Sequence, residues 1–98
     1  MAEAAGDVLR LRSDALEWRE VEGEIVSVDL RESVYLAANR SGAVLWRELA
    51  RGATLEDLAA TLSERFGLDS AAAKADATAF VEMLRDRDLL ERGPAAPD

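Results

Sequence analysis

The residues of this sequence that could do chemistry are mostly carboxylates, and their spacing suits structural roles. Four of them lie close together early in the chain: Glu17, Glu20, Glu22 and Glu24. Two carboxylates that share a cleft can act as an acid and a base, or bind a divalent cation. These glutamates instead alternate with apolar residues, as on a solvated sheet face, while Glu56 and Asp57 suit the positive end of a helix dipole. We therefore expect neither a catalytic pair nor a metal site.

The sequence contains no cysteine and no histidine. It therefore lacks a thiolate nucleophile, the usual general base near neutral pH and the commonest metal ligand. The hydroxyl of Ser41 has no histidine to activate it, and there is no glycine-rich phosphate loop. An enzyme is the least favoured class of protein, and we expect no cofactor.

The length and the net charge of the chain limit the class of protein further. The chain of 98 residues is long enough for one domain, and a hydrophobic content of 49% is enough for a core. Twelve basic and twenty acidic residues give a net charge of −8, which repels phosphate and anionic lipid. Neither nucleic acid nor a membrane is expected as a partner. Because we see no signal peptide and no apolar run of the roughly 20 residues that span a bilayer, the expected location is cytoplasmic.

The domain boundaries are expected where the periodic apolar pattern stops. Residues 1–6 and 93–98 carry no such pattern, and we expect both ends to be disordered. Residues 7–92 contain neither an internal repeat nor a linker, so they are expected to form a single domain.

The first half of the chain has the pattern of strands. Residues 8–11 alternate over a short stretch that is typical of an edge strand. Three further runs, at 16–21, 25–30 and 34–37, are separated by short polar turns. This arrangement indicates an antiparallel meander.

Helical spacing of apolar residues begins at Asn39 and continues to about residue 87. Caps delimit three predicted helices: Asn39 and Gly52 the first, Thr54 and Gly67 the second, and Asp69 or Ser70 and Arg87 the third. Thr54 and Asp57 also have the spacing of a capping box. Beyond the third helix, Leu89 and Leu90 are expected to fold back onto the domain.

Strands followed by helices indicate an α+β domain in which the helices cover one face of a small sheet. The helix order also suits a winged-helix or helix-turn-helix arrangement. A DNA-binding protein of that kind needs basic outer helix faces. The predicted second and third helices expose more acidic than basic residues, so DNA binding is disfavoured.

The last predicted strand is the most informative feature. Residues 34–37 are apolar on both faces and contain no Lys or Pro that would block edge pairing. If this strand lies at the sheet edge, it can accept another chain by β-augmentation. Alternatively, a helix or a neighbouring strand covers it. Met83 projects beside the predicted core line of Phe80 and Leu84, where it would either line a peptide groove or pack peripherally.

Four segments of the sequence resemble the PqqD-like proteins, which are the peptide-recognition modules of ribosomal-peptide biosynthesis. The segments are 20–30, 34–46, 52–58 and 84–91, and the resemblance runs from about Leu16 to Glu91. Its most specific part is 39–46, with the sequence Asn-Arg-Ser-Gly-Ala-Val-Leu-Trp.

The resemblance implies a winged helix-turn-helix fold, with a three-stranded antiparallel sheet followed by three helices, and no catalytic activity. Members of the family bind the leader segment of a precursor peptide as an added strand, in a groove closed by the third helix, and present it to a processing enzyme. Carried over to this sequence, the peptide-binding residues are Val34, Tyr35, Leu36, Ala37, Asp76, Phe80, Met83 and Leu84.

A free-standing chain of this size looks most like the leader-binding protein of lasso-peptide pathways, whose partner is a cysteine-protease-like leader peptidase. The pyrroloquinoline-quinone form is instead a precursor chaperone for a radical-SAM enzyme. Two residues depart from the family pattern: Ala38 replaces a large aliphatic residue, and Asp88 replaces a glycine after the third helix. A winged-helix regulator that binds DNA or a protein remains the alternative from another class.

Overall fold

The computed structural model describes residues 8–12, 14 and 16–92, and within them the chain forms six strands and three helices. The elements, in chain order, are β1 (Val8–Leu11), β2 (Leu16–Val21), β3 (Glu24–Asp29), β4 (Val34–Ala38), α1 (Arg40–Arg51), β5 (Ala53–Thr54), α2 (Leu55–Phe66), α3 (Ser70–Asp86) and β6 (Leu90–Arg92). The predictions of disorder at 1–6 and 93–98 concern residues outside this described part.

Strands β2, β3 and β4 form the antiparallel meander that the sequence predicts, in the order β2-β3-β4. Glu22 and Gly23 join β2 to β3 with positive φ angles of 53° and 84°, as the tight turn of a two-residue hairpin requires. Between β3 and β4 the N–H of Ser33 donates to the carbonyl of Asp29 at 2.7 Å. These short turns fix the register in which Ser27 lies opposite Leu36.

A second three-stranded sheet, in the order β5-β1-β6, was not expected from the sequence. Strand β1, predicted at a sheet edge, is its middle strand: Leu9 pairs with Ala53 on one side and with Arg92 on the other. The two partner strands have two and three residues, which is too short for an alternating pattern to be recognised.

The helix starts agree with the prediction because each is fixed by a local side-chain cap. The side chain of Asn39 accepts from the N–H of Gly42 at 3.0 Å, and that of Asp69 accepts from the N–H of Ala72 at 2.8 Å. At the start of α2 both hydrogen bonds of the capping box are present. Asp88, just beyond α3, has a φ of 59°, the left-handed conformation that Asp tolerates better than most residues.

The core lies between the inner face of the β2-β3-β4 sheet, the buried side chains of β1 (Leu9 and Leu11) and the three helices. Its largest fully buried apolar side chains come from β3 and from every helix: Ile25, Trp46, Leu49, Leu58 and Leu84. The opposite face of the same sheet remains open to solvent, as the half-exposed Val26 shows. The chain is therefore an α+β protein with a three-stranded antiparallel sheet and three helices.

Candidate functional site

Strand β4 is an edge strand, with β3 as its one partner in the β2-β3-β4 sheet. The carbonyl oxygen of Leu36 accepts a hydrogen bond from the buried hydroxyl of Ser27 on β3, at 2.9 Å, so this carbonyl points into the sheet. Main-chain groups alternate in direction along a strand. The N–H and C=O groups of Tyr35 and Ala37 are therefore directed to the free edge.

A cavity of about 580 Å³ lies beside this edge, between β4 and α3. Residues from β4, all three helices and their connections line it: Leu36, Ala37, Ala38, Asn39, Ser41, Gly42, Leu45, Trp46, Leu62, Phe66, Leu68, Asp76, Ala79, Phe80 and Met83. We call this cavity the β4–α3 groove. Most of its lining is apolar, and its volume falls in the range that is usual for ligand sites.

Two small residues, Gly42 and Ala38, leave space at the floor of the β4–α3 groove. A Cβ atom added to Gly42 would lie 3.2 Å from the Cβ of Ala38 and 3.2 Å from Cε1 of Phe80. Such contacts are tighter than ordinary van der Waals packing, so a side chain at position 42 would push the Phe80 ring. The departure from the family pattern at Ala38 thus falls on the groove floor, where a larger side chain would occupy part of the space.

The structure brings five of the eight predicted site residues together around the groove: Leu36, Ala37, Asp76, Phe80 and Met83. The other three lie elsewhere. Leu84 is fully buried in the core, and Tyr35 is 76% exposed, opposite Val28 on the outer face of the sheet. Val34 lines a second cavity, of about 190 Å³, which shares Leu36 with the groove.

Helix α2 and the start of α1 also contribute to the groove, which was not predicted from the sequence. Leu62, Phe66 and Leu68 line the end of the groove that is formed by α2 and the following turn, and Phe66 is exposed there. A phenylalanine in the last turn of an amphipathic helix was an available signal, although the spacing placed Phe66 on the buried stripe of that helix. Gly42 gave no such signal, because the sequence does not show which residues a glycine inside a helix contacts.

Charged side chains join the turn that precedes β4 to the chain just beyond the end of α3. The guanidinium of Arg31, in the β3–β4 turn, donates to the carboxylate of Asp29 at 3.0 and 3.2 Å and to that of Asp88 at 3.0 Å. These hydrogen bonds raise the pKa of Arg31, with Asp29 as the larger cause, and those from Arg31 hold the pKa of Asp29 below its ordinary value. We call these three residues the Arg31 clamp. It ties the turn before β4 to Asp88, which lies just beyond α3.

The cavity near Val34 lies at this same end, since Arg87 and Leu89 line it. Ala38, at the other end of β4, shares the groove with Asp76. Strand β4 and helix α3 therefore run antiparallel to each other, and the groove follows both. Within the described residues, no group of three or more acidic side chains is arranged to hold a metal ion, and no helix is long and apolar enough to cross a membrane.

Comparisons with known proteins agree with this geometry. The model of the family "Coenzyme PQQ synthesis protein D (PqqD)" matches residues 24–90, which is more than half of the chain, so the protein belongs to the PqqD family. No curated protein is similar enough to count as a match.

Two solved structures share the fold. One is TbiB1 in complex with the TbiA(beta) leader peptide, with a TM-score of 0.76 and 22% sequence identity, covering 91% of this chain and 99% of the other. The second is a lasso peptide synthetase B1 complexed with the leader peptide, with a TM-score of 0.74 and 23% identity, covering 85% of this chain and 96% of the other.

Proposed function

We propose that this protein binds the leader segment of a ribosomally made precursor peptide by strand addition to β4 and presents it to a processing enzyme. The observation that carries the proposal is the free edge of β4 directly beside an apolar groove. An added strand would pair with the outward main-chain groups of Tyr35 and Ala37, and its inward side chains would enter the β4–α3 groove. The protein itself would perform no chemistry.

The two parts of the site have different energetic roles. Main-chain hydrogen bonds contribute only about 0.5–1.5 kcal/mol each, because they replace bonds to water. Each large apolar side chain buried in the groove contributes about 1.5–3 kcal/mol. The edge therefore fixes the direction and register of the leader, while the groove supplies most of the affinity and the sequence preference.

The nature of the partner enzyme is a finer part of the proposal. Both solved structures of the same fold contain a leader peptide, and one is named as a lasso peptide synthetase component. These likenesses favour a lasso-peptide leader peptidase as the enzyme that receives the precursor. A radical-SAM enzyme, the partner in the pyrroloquinoline-quinone pathway, is the alternative.

We also propose that the helical part of the domain is a winged helix-turn-helix. Residues 67–69 form the short turn between α2 and α3, and Gly67 is in the left-handed conformation. A short turn with a glycine is typical of that motif. Strands β5 and β6, which flank these two helices and pair with β1, would form the accompanying small sheet.

Titration calorimetry with synthetic peptides tests the function. Short peptides encoded next to the gene of this protein are each made as two halves, an N-terminal leader and a C-terminal core. One leader half is expected to bind saturably, and its core half is not. The proposal is wrong if no half binds saturably, or if the core half binds as tightly as the leader.

A further inference from the structure

The β4–α3 groove is apolar except for one charge. Among the residues that line it, Asp76 is the one acidic or basic residue, and its polar neighbours in the lining, Asn39 and Ser41, are uncharged. We propose that Asp76 is a specificity-determining residue that selects leader peptides carrying a Lys or Arg near the Ala38 end of β4. This inference rests on the proposed function and identifies the chemistry of its substrate.

The Asp76 carboxylate has no counter-ion within the described part of the protein. The ion pairs there use other acids: Asp14, Glu20, Asp29 and Asp88. A helical residue meets the side chains three and four positions away, and for Asp76 these are three alanines and Phe80. Helix α3 therefore does not neutralise Asp76, and its exposed side chain is accessible to a basic group of a ligand in the groove.

The other end of β4 does not show the same preference. The cavity at Val34 is lined by both Arg87 and Glu32, one charge of each sign, and Asp29 there is already paired with Arg31. A basic side chain is therefore favoured at the Ala38 end and not at the Val34 end. The net charge of −8 would attract a basic peptide without regard to where its basic residue stands. The difference between the two ends of β4 instead favours a basic residue at one position of the bound peptide.

The spacing on α3 predicts where the basic residue lies relative to the apolar one. Asp76 precedes Phe80 by one helical turn, which corresponds to about 6 Å along the helix. A strand advances about 3.3 Å per residue, so this distance equals about two residues of an added strand. The expected leader pattern is a basic residue two positions from the large apolar residue that packs on Phe80. Both side chains then point into the groove.

Selection of binders from displayed random peptides, on immobilised wild-type protein and on Asp76→Asn, tests this inference. Wild-type protein should enrich peptides in which Lys or Arg stands two positions from a large apolar residue. Asp76→Asn should enrich the apolar residue without the basic one. Glu82→Gln is the matched control: it removes the same charge from an exposed site on α3 that lines neither cavity, and it should select like the wild type.

A selected peptide is then titrated against wild type and Asp76→Asn, together with the same peptide carrying Gln in place of its basic residue. Removing either charge should weaken binding about two- to fivefold at low salt, as for a partly exposed ion pair, and removing both should add little. Apolar enrichment without a basic residue, or basic enrichment that survives Asp76→Asn, would overturn the role of Asp76 and leave the proposed function standing. If no peptide is enriched at all, the proposed function itself fails.

Discussion

Tyr35 and Ala37 are the residues whose main-chain groups decide whether a peptide can add to β4. Their N–H groups face the free edge because the Leu36 carbonyl is turned toward Ser27 on β3. Proline is tolerated on an edge strand where its missing N–H would have faced solvent. A substitution at position 37 can therefore remove one edge donor without breaking the pairing of β4 with β3.

Ala37→Pro is expected to lower leader affinity by about tenfold or more, because it removes an edge donor and opposes the added strand sterically. The free energy of unfolding should change little. Ala37→Ser is the matched control: it keeps the N–H and adds a single atom to a residue that also lines the groove, so its affinity should stay much closer to that of the wild type than the affinity of Ala37→Pro. Fluorescence anisotropy with a labelled leader peptide measures both affinities. Unchanged affinity in Ala37→Pro would show that the leader does not pair with this edge.

At the scale of elements, the β3–β4 hairpin and α3 form the two walls of the site, and the Arg31 clamp joins them. It connects residues far apart in sequence, from the turn at Arg31 to Asp88 after the third helix. The clamp joins the turn before Val34 to the chain just beyond α3, at the end where the smaller cavity lies. The stability of this part of the protein therefore depends on the ionisation of Asp29.

The pH dependence of unfolding tests the clamp. The folded-state pKa of Asp29 lies below its value in the unfolded chain, so its contribution is present above the unfolded pKa of about 4 and is lost as pH falls through the folded pKa. Asp29→Asn should be less stable than the wild type at neutral pH, and the difference should shrink in acid. Denaturant unfolding followed by circular dichroism at several pH values measures this. A dependence of stability on pH in Asp29→Asn equal to that of the wild type would contradict the clamp.

Elements with a local signal were predictable from the sequence. The caps at Asn39, Thr54 and Asp69 each satisfy main-chain groups within three residues, so the helix starts could be predicted. Strands β5 and β6 could not, because strands of two and three residues exist only through their pairing with β1. The same reason explains why β1 was expected at an edge and lies in the middle.

The strand and the helix that form the candidate site could be predicted from the sequence, but the shape of the groove between them could not. The sequence indicates an apolar strand at 34–37 whose edge is either free or covered, and the structure places it at a sheet edge, with Phe80 and Met83 beside it. Helical spacing correctly placed Leu84 in the core, and Leu84 entered the predicted site through the family resemblance. Spacing also placed Phe80 on the core line, whereas Phe80 is partly buried and lines the groove. The floor of the groove depends on Gly42, Ala38 and Phe80 meeting in space, which no sequence pattern encodes.

At the scale of the whole molecule, the net negative charge disfavours DNA binding and is compatible with the proposed leader binding. Twenty acidic against twelve basic residues give −8, so a duplex would be repelled. We expect no saturable binding of duplex DNA in an electrophoretic mobility shift assay, even at low salt. Duplex binding that weakens as salt rises would instead support the winged-helix regulator. Under the proposed function, the same charge would favour leaders with basic residues.

Hydrogen exchange at Tyr35 and Ala37, followed by NMR with and without saturating leader peptide, tests strand addition most directly. In the free protein both amides face the open edge and should exchange rapidly, whereas the Leu36 amide faces β3 and should already be protected. Strand addition predicts that exchange at Tyr35 and Ala37 slows by about tenfold or more in the complex, while that at Leu36 changes much less. Leader binding that leaves both exchange rates unchanged would contradict it.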